Sequence, residues 1–191
     1  MPTIAQEYGP SDAPARLVKQ KLLHCHTGAI LVARLRSDAE VVLTAGGDAR
    51  VCLWNVKSGE LQQVIREMFH GHVQCVCWVD FEGRKDDGFV FGCANGTLHM
   101  YRWSAAKGSY VFVAITHAHN GRQVNDLHFS AKYRRVASIG DGTPQVWRVD
   151  DKGALSPMVN EPARRPFIGR TIHFCDEGAS VLFTQLESHE V

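Results

Sequence analysis

The chain has 191 residues, of which 45% are hydrophobic and 21% are charged. This length is sufficient for a buried core, and the composition excludes a disordered or fibrous protein. The 21 basic and 20 acidic residues leave a net charge of +1. That balance gives no electrostatic reason to expect binding to nucleic acid or to an anionic membrane.

The N-terminal segment, residues 1 to 15, is expected to be disordered or extended. It does not look like a secretory signal, because no basic stretch precedes an apolar one. Apolar runs such as residues 111 to 115 are far shorter than the about 20 residues that a membrane helix needs. The six cysteines show no framework spacing. We therefore expect reduced, mostly buried cysteines in an intracellular protein of the cytoplasm or nucleus.

Short apolar or alternating segments separated by turn residues predict a succession of β-strands, and no segment keeps a helical period. The first four predicted strands span residues 29–35, 41–45, 50–56 and 60–65. The next four span 74–81, 88–94, 97–103 and 110–116. A third group spans 123–130, 134–140, 143–149 and, less clearly, 153–159, and a fourth begins near residue 168. Such a series of short strands predicts an all-β sandwich, barrel or propeller.

Three markers recur along the chain at a nearly constant spacing. The histidines are 46 and 47 residues apart, at His26, His72 and His119. The turn residues are 47 and 46 residues apart, at Asp48, Asn95 and Asp141. An aromatic residue follows each turn residue by six positions, at Trp54, Tyr101 and Trp147. This period lies just above the about 40–45 residues of a propeller blade, so the repeat favours the propeller.

Residues 26 to 61 resemble a WD40 repeat along their whole length. The matching features are the pair His26 and Gly28, the turn Asp48, the dipeptide Trp54-Asn55 in place of Trp-Asp, and the turn Ser58-Gly59. The resemblance implies an incomplete WD40-type β-propeller of about three and a half four-stranded blades within one domain, residues 16 to 191. Its blades are expected at about 24–66, 70–116 and 117–160, with a partial blade at 167–191.

In the WD40 family a His, a Ser or Thr, an Asp and the Trp form a hydrogen-bonded set within each blade. The resemblance implies this structural role here for His26, Thr44, Asp48, Trp54, His72, Asn95, Tyr101, His119, Asp141 and Trp147. The second set is expected to be partial, because Phe91 stands where the family has Ser or Thr. In the third repeat, Ser138 stands one position out of register.

The family most often binds partners on the rim that carries these histidines and turns. By resemblance, the partner-binding face comprises Ala29, Leu31, Gly47, Cys75, Cys77, Ala94, Gln123, Asn125, Gly140, Ile168 and Arg170. The expected function is a non-catalytic scaffold or adaptor for other proteins of unknown identity, without a cofactor. One alternative is a truncated propeller fragment with no autonomous function.

A propeller enzyme and a zinc-binding protein are the remaining alternatives. A His and an Asp read without the repeat suggest a catalytic dyad, but each such pair is explained by its blade. The possible zinc ligands are the pairs His24-x-His26, His70-x-His72, His117-x-His119 and Cys75-x-Cys77. Because the second His of each pair belongs to a blade set and zinc-ribbon spacing is absent, we expect neither catalysis nor a metal.

Residues 16 to 23 precede the first repeat histidine as an outermost strand precedes each later one. This predicted strand would complete the last blade within one chain, or the chain would remain an open arc. We favour the open arc, since four blades demand a sharper turn per blade than the usual about seven. An open arc predicts self-association through its exposed sheet edges.

Overall fold

The computed structural model describes residues 21–66, 70–80, 88–140, 144–158 and 168–186. We number four successive sheets blade 1 to blade 4. Blade 1 comprises β1 (Ile30–Leu35), β2 (Val41–Gly46), β3 (Arg50–Asn55) and β4 (Leu61–Arg66). Blade 2 comprises β5 (Val73–Val79), β6 (Gly88–Cys93), β7 (Thr97–Ser104) and β8 (Ser109–His117). Blade 3 comprises β9 (Val124–Ser130), β10 (Arg135–Gly140), β11 (Gln145–Val149) and β12 (Leu155–Pro157). Blade 4 comprises β13 (Ile168–Cys175), a 3-10 turn (Asp176–Gly178) and β14 (Ser180–Leu186).

Each blade is an antiparallel sheet whose strands pair in chain order. The described residues therefore form three four-stranded sheets and one two-stranded sheet, which confirms the predicted all-β fold. The innermost strands β1, β5, β9 and β13 contact one another in series. The weakly patterned strand of the third repeat is also the shortest, since β12 has three residues.

The core lies in the gaps between blades rather than within any one sheet. One cluster joins blades 1 and 2, a second joins blades 2 and 3, and a third joins blades 3 and 4. Because side chains alternate along a strand, β6 contributes side chains to the gaps on both sides of blade 2. Phe89 and Phe91 face blade 1, whereas Val90 faces blade 3, and all three are fully buried.

Polar contacts also cross every gap. We call the end of the blades with the β2–β3, β6–β7 and β10–β11 turns the upper rim, and the opposite end the lower rim. On the lower rim the Arg36 guanidinium donates to the Tyr110 hydroxyl at 3.1 Å. The Arg102 guanidinium donates to the Asp151 carbonyl, and the Lys132 ammonium pairs with Glu177. Each gap is thus bridged at this end.

A β-bulge recurs near the upper rim in the pairing of each innermost strand with its neighbour. The register shifts between residues 30 and 32, 73 and 75, 124 and 126, and 169 and 171. The residues left without a ladder partner are Leu31, Gln74, Asn125 and Arg170. A bulge bends the strand and turns its side chain away from the regular alternation. These four residues therefore occupy equivalent positions.

The described part of the expected N-terminal strand is not a strand. Residues 16 to 20 lie outside the described residues, and residues 21 to 23 have no regular secondary structure. They lie beside the β3–β4 turn of blade 1, where the Lys21 ammonium donates to the Lys57 carbonyl. The prediction that this segment continues as a strand to residue 23 is wrong.

Blade 4 is attached to blade 3 through side chains that bind its backbone. An Asp126 carboxylate oxygen accepts from the Ile172 N–H at 2.9 Å, and His128 Nδ1 accepts from the Phe174 N–H at 3.0 Å. Burial lowers the pKa of His128, and the neighbouring His173 lowers it further. A neutral imidazole is required here, because a protonated Nδ1 has no lone pair to accept with.

We expect His128 to make stability depend on pH. Its folded-state pKa is below the unfolded value of about 6.5, so the unfolded chain binds the proton first as the pH falls. The free energy of unfolding should therefore decrease as the pH falls through the unfolded pKa towards the folded one. Chemical denaturation between about pH 7.5 and about pH 5.5 measures this decrease.

His128→Asn should reduce that pH dependence, because its amide oxygen accepts in place of Nδ1 and does not titrate. The matched control is His24→Asn, since His24 is exposed and has no such acceptor role in the described contacts. Equal pH dependence in the wild-type chain and in His128→Asn would contradict the assignment.

Candidate functional site at the upper rim

Blade 1 contains a continuous chain of hydrogen bonds. The Trp54 indole N–H donates to Thr44 Oγ1 at 2.9 Å, and Thr44 Oγ1 lies 2.8 Å from His26 Nε2. His26 Nδ1 lies 3.0 Å from an Asp48 carboxylate oxygen, which fixes its proton on Nδ1. Asp48 also accepts from the Thr27 amide at 2.8 Å. The chain ties β2 and β3 to the segment that precedes β1.

Burial and hydrogen bonding act in opposite directions on Asp48. Burial raises the pKa of the carboxyl, but the hydrogen bonds from His26 and the Thr27 amide together lower it below its ordinary value. The carboxylate is therefore charged at neutral pH, although its side chain is only 5% exposed. A charged, nearly buried group of this kind is stable only while its donors remain in place.

The order hydroxyl, imidazole and carboxylate also occurs in hydrolytic triads. Here the hydroxyl of Thr44 is buried, and its oxygen already accepts from Trp54. A nucleophile must reach a substrate, and this oxygen faces the interior of the blade. The geometry fits a structural role for these residues.

Blade 2 has a different arrangement from the one expected. Asn95 bonds His70 Nδ1 at 2.9 Å, whereas His72 is exposed, so the assignment of His72 to this set is wrong. Thr97 donates to the Asn95 amide oxygen at 2.7 Å and lies 3.0 Å from His99 Nε2. Burial, reinforced by the neighbouring His70 and His117, lowers the pKa of His99 to about 4. His99 is therefore neutral at pH 7.

Aromatic stacking replaces the remaining hydrogen bonds of blade 2. Phe91 stands two residues after the cross-strand partner of Tyr101, as Thr44 does for Trp54. Its ring stacks on His99 at 4.9 Å and on Tyr101 at 5.8 Å. Thr97 and His99 were not predicted. Their alternation with Tyr101 in the sequence could have identified them, because it places all three side chains on one face of β7.

Blade 3 restores the hydrogen-bonded arrangement. Ser138 Oγ accepts from the Trp147 indole at 2.9 Å and lies 2.9 Å from His119 Nε2. Ser138 stands two residues after the cross-strand partner of Trp147, so it is in register. The apparent offset in the sequence arises because the β10–β11 turn is one residue shorter than the β2–β3 turn. Asp141, expected in this set, lies outside the described residues.

The structure divides the expected partner-binding face by accessibility. The exposed positions are Ala29, Leu31, Gln123, Ile168 and Arg170, and the half-buried ones are Gly47, Ala94 and Asn125. Cys75, Cys77 and Gly140 are buried, so their assignment to an accessible face is wrong. The two cysteines face blade 3 because the bulge at Gln74 shifts the alternation of β5. Gln74 is the equivalent of Leu31, and it was not predicted.

The residues considered for zinc do not converge. Among the described residues, no group of three or more His, Cys, Asp or Glu side chains is placed to hold a metal ion. Burial raises the pKa of Cys77 to about 12 and raises that of Cys75 well above its ordinary value. Both are thiols at neutral pH, whereas zinc binds thiolates.

We expect Asp48→Ala to lower the free energy of unfolding by about 2–4 kcal/mol, because it removes the acceptor of the His26 side chain and of the Thr27 and Arg50 amides. Chemical denaturation measures the change. Asp48→Asn is the matched control, since Asn95 occupies this position in blade 2 and retains one acceptor oxygen. Its loss should be smaller. A loss within the range of an ordinary surface substitution for Asp48→Ala would contradict the assignment.

Two stretches match the family model described as WD domain, G-beta repeat. They are residues 17–55 and residues 110–148. Each begins in the strand or segment before a repeat histidine and ends after the Trp of β3 or β11. The second repeat, which has Asn95 and Tyr101, lies between the two matched stretches. No curated protein matches the chain.

The fold is shared with solved structures. A chain in a crystal structure of the mitotic checkpoint complex superposes with a TM-score of 0.66 at 21% sequence identity. The match covers 85% of this chain and 48% of that chain, so this chain spans about half the length of its structural relative. No described helix is long and apolar enough to cross a membrane. Two of the repeats thus match the WD40 family model, and the blades in series have the fold of the solved structure.

Proposed function

We propose that the chain is a non-catalytic scaffold that binds other proteins through the upper rim of its blades. The observation that carries the proposal is the β-bulge that recurs in all four innermost strands. It places Leu31, Gln74, Asn125 and Arg170 at equivalent positions along one rim. Side chains displaced from a regular ladder on a rigid scaffold are suited to contact a partner.

The two rims differ in how their polar groups are used. On the lower rim, charged side chains bridge neighbouring blades at each gap. On the upper rim, Leu31, Ile168 and Arg170 are exposed. Buried glycines let the upper loops pack closely, since a Cβ on Gly140 would lie 2.2 Å from the Gln123 carbonyl. The upper rim therefore combines a fixed backbone with accessible side chains.

The chemistry of the rim favours a mixed apolar and polar peptide surface. Leu31 and Ile168 supply apolar area at either end, and Gln74 supplies an amide between them. The Asn125 amide instead binds the Gly169 carbonyl of blade 4 at 2.7 Å. Arg170 is the single charge among the four bulge residues. Recognition of a phosphopeptide commonly uses clustered arginines, and this rim has none. We therefore propose that the partner segment is uncharged. The structural relative comes from a crystal structure of a protein complex, which supports protein binding in general.

Self-association is a second proposal, supported by apolar exposure in the first and last blades. Blade 1 exposes Ile30, Leu31 and Leu35, and blade 4 exposes Leu182 on the face opposite to Ile172, which faces blade 3. Each matching face in blades 2 and 3 is covered by a neighbouring blade. Successive blades pack the same two faces against each other. The exposed face of blade 4 can therefore pack against the exposed face of blade 1 in a second copy of the chain. Further blades of a longer chain would cover the same faces.

The rim proposal predicts that Leu31→Glu and Arg170→Glu abolish partner binding without unfolding the chain. The tagged full chain is captured from cells, and co-purifying proteins are quantified by mass spectrometry. We expect a loss of about tenfold or more, which corresponds to about 1.4 kcal/mol of binding free energy. The lower-rim control is Lys107→Glu, which changes an exposed lysine in the β7–β8 turn. Equal losses at both rims would count against the upper rim.

The self-association proposal predicts a mass above the 21.2 kDa monomer by light scattering, rising with concentration. Leu182→Ser should return the mass towards the monomer, because Leu182 is 63% exposed on blade 4. Phe112→Ser is the matched control, since Phe112 is 51% exposed on blade 2. A monodisperse 21.2 kDa wild-type chain at every concentration would overturn the proposal.

A further inference from the structure

The segment before β1 runs along blade 1 in the direction opposite to β3. At the lower end Lys21 contacts Lys57. Further up, the Arg50 guanidinium donates to the Cys25 carbonyl at 2.7 Å. At the upper rim the Thr27 amide donates to Asp48 at 2.8 Å. These three contacts fix the position of residues 21 to 27 relative to β3.

This placement brings two cysteine thiols together. Burial raises the pKa of the Cys52 thiol, and the Cys25 side chain lies close enough to Cys52 to raise it further. Cys52 points to the same face of β3 as Arg50, two residues away, and Arg50 holds the Cys25 backbone. Both cysteines are free thiols, Cys25 half-buried and Cys52 fully buried. Two neighbouring thiols on a fixed backbone meet the first requirement for a disulfide, which is proximity.

We propose that Cys25 and Cys52 form a reversible disulfide that staples the segment before β1 to blade 1. The oxidant is a low-molecular-weight disulfide, for which oxidised glutathione serves as the probe. The site depends on the geometry of blade 1 alone, and it stands or fails independently of the partner-binding rim.

The reaction balances in two exchange steps. Cys25 loses its proton to solvent, and its thiolate attacks one sulfur of oxidised glutathione. The glutathione disulfide breaks, releasing one glutathione and leaving the other on Cys25. Cys52 then loses its proton, and its thiolate attacks the Cys25 sulfur and expels the second glutathione. Two protein thiols are oxidised, and one oxidised glutathione is reduced to two glutathione molecules.

The environment assigns the order of attack. Cys25 is the accessible partner and reacts first. Burial raises the pKa of Cys52, and the adjacent Cys25 raises it further, so its thiolate is scarce at neutral pH. The second step is therefore expected to be the slower one, and to accelerate as the pH rises.

The experiment uses the full chain with Cys175→Ser, which removes the one exposed cysteine among the described residues. After incubation with oxidised glutathione, non-reducing tryptic mapping should show residues 22–34, which contain Cys25, linked to residues 51–57, which contain Cys52. Thiol titration in denaturant should fall from five thiols to three. Reduction should reverse both changes. Hydrogen exchange in residues 22 to 29 should slow in the oxidised chain.

Two variants separate the steps. In Cys52→Ser the reaction should stop at a glutathione adduct on residues 22–34. In Cys25→Ser, residues 51–57 should stay unmodified, because the buried Cys52 thiol reacts only with the adduct on Cys25. Persistence of glutathione on Cys25 while Cys52 is intact would overturn the proposal. So would linkage of residues 22–34 to any other cysteine, or the absence of reaction at Cys25. The mapping of the parent chain decides the matter even where Cys52→Ser fails to fold.

Discussion

The structure depends on the fact that a blade in the middle of the series has two apolar faces and can bury neither alone. In β6, consecutive residues point in opposite directions, so Phe89 requires blade 1 and Val90 requires blade 3. The free energy of burial is thus gained only when blades stack. Side-chain bonds across each gap, such as those of Asp126 and His128, then fix how neighbouring innermost strands align.

The hydrogen-bonded sets act locally within this stack. Blade 1 joins Trp54 to Asp48 through Thr44 and His26, whereas blade 2 stacks Phe91 between His99 and Tyr101. Both arrangements hold the two middle strands of their blade at the same register. The fold therefore tolerates the exchange, because stacking of the blades, rather than any one set, supplies most of the buried surface.

Periodicity predicted the strands of the first blade to within a residue or two, because the alternation and the turn residues there are unambiguous. Of the four bulge residues at the upper rim, Gln74 was not predicted. The bulge residues Leu31 and Gln74 stand five and two positions after the repeat histidines His26 and His72, so counting from the histidine fails. Counting along the sequence likewise placed Ser138 out of register, although its strand pairing is regular. A turn one residue shorter alters the count but leaves the strand pairing unchanged.

The bulges explain why the upper rim is suited to binding while the sheets beneath it are uniform. A regular innermost strand directs each side chain into one gap or the other, where it is buried, as Cys75 and Cys77 are. A single extra residue breaks this alternation at the rim and displaces one side chain per blade. The displaced side chains of blades 1 and 4 are exposed, whereas Asn125 of blade 3 binds the Gly169 carbonyl. The four displaced side chains lie outside the apolar clusters of the gaps, so packing in these clusters does not fix their identity. Leucine, glutamine, asparagine and arginine occupy the four equivalent positions without altering the pairing below them.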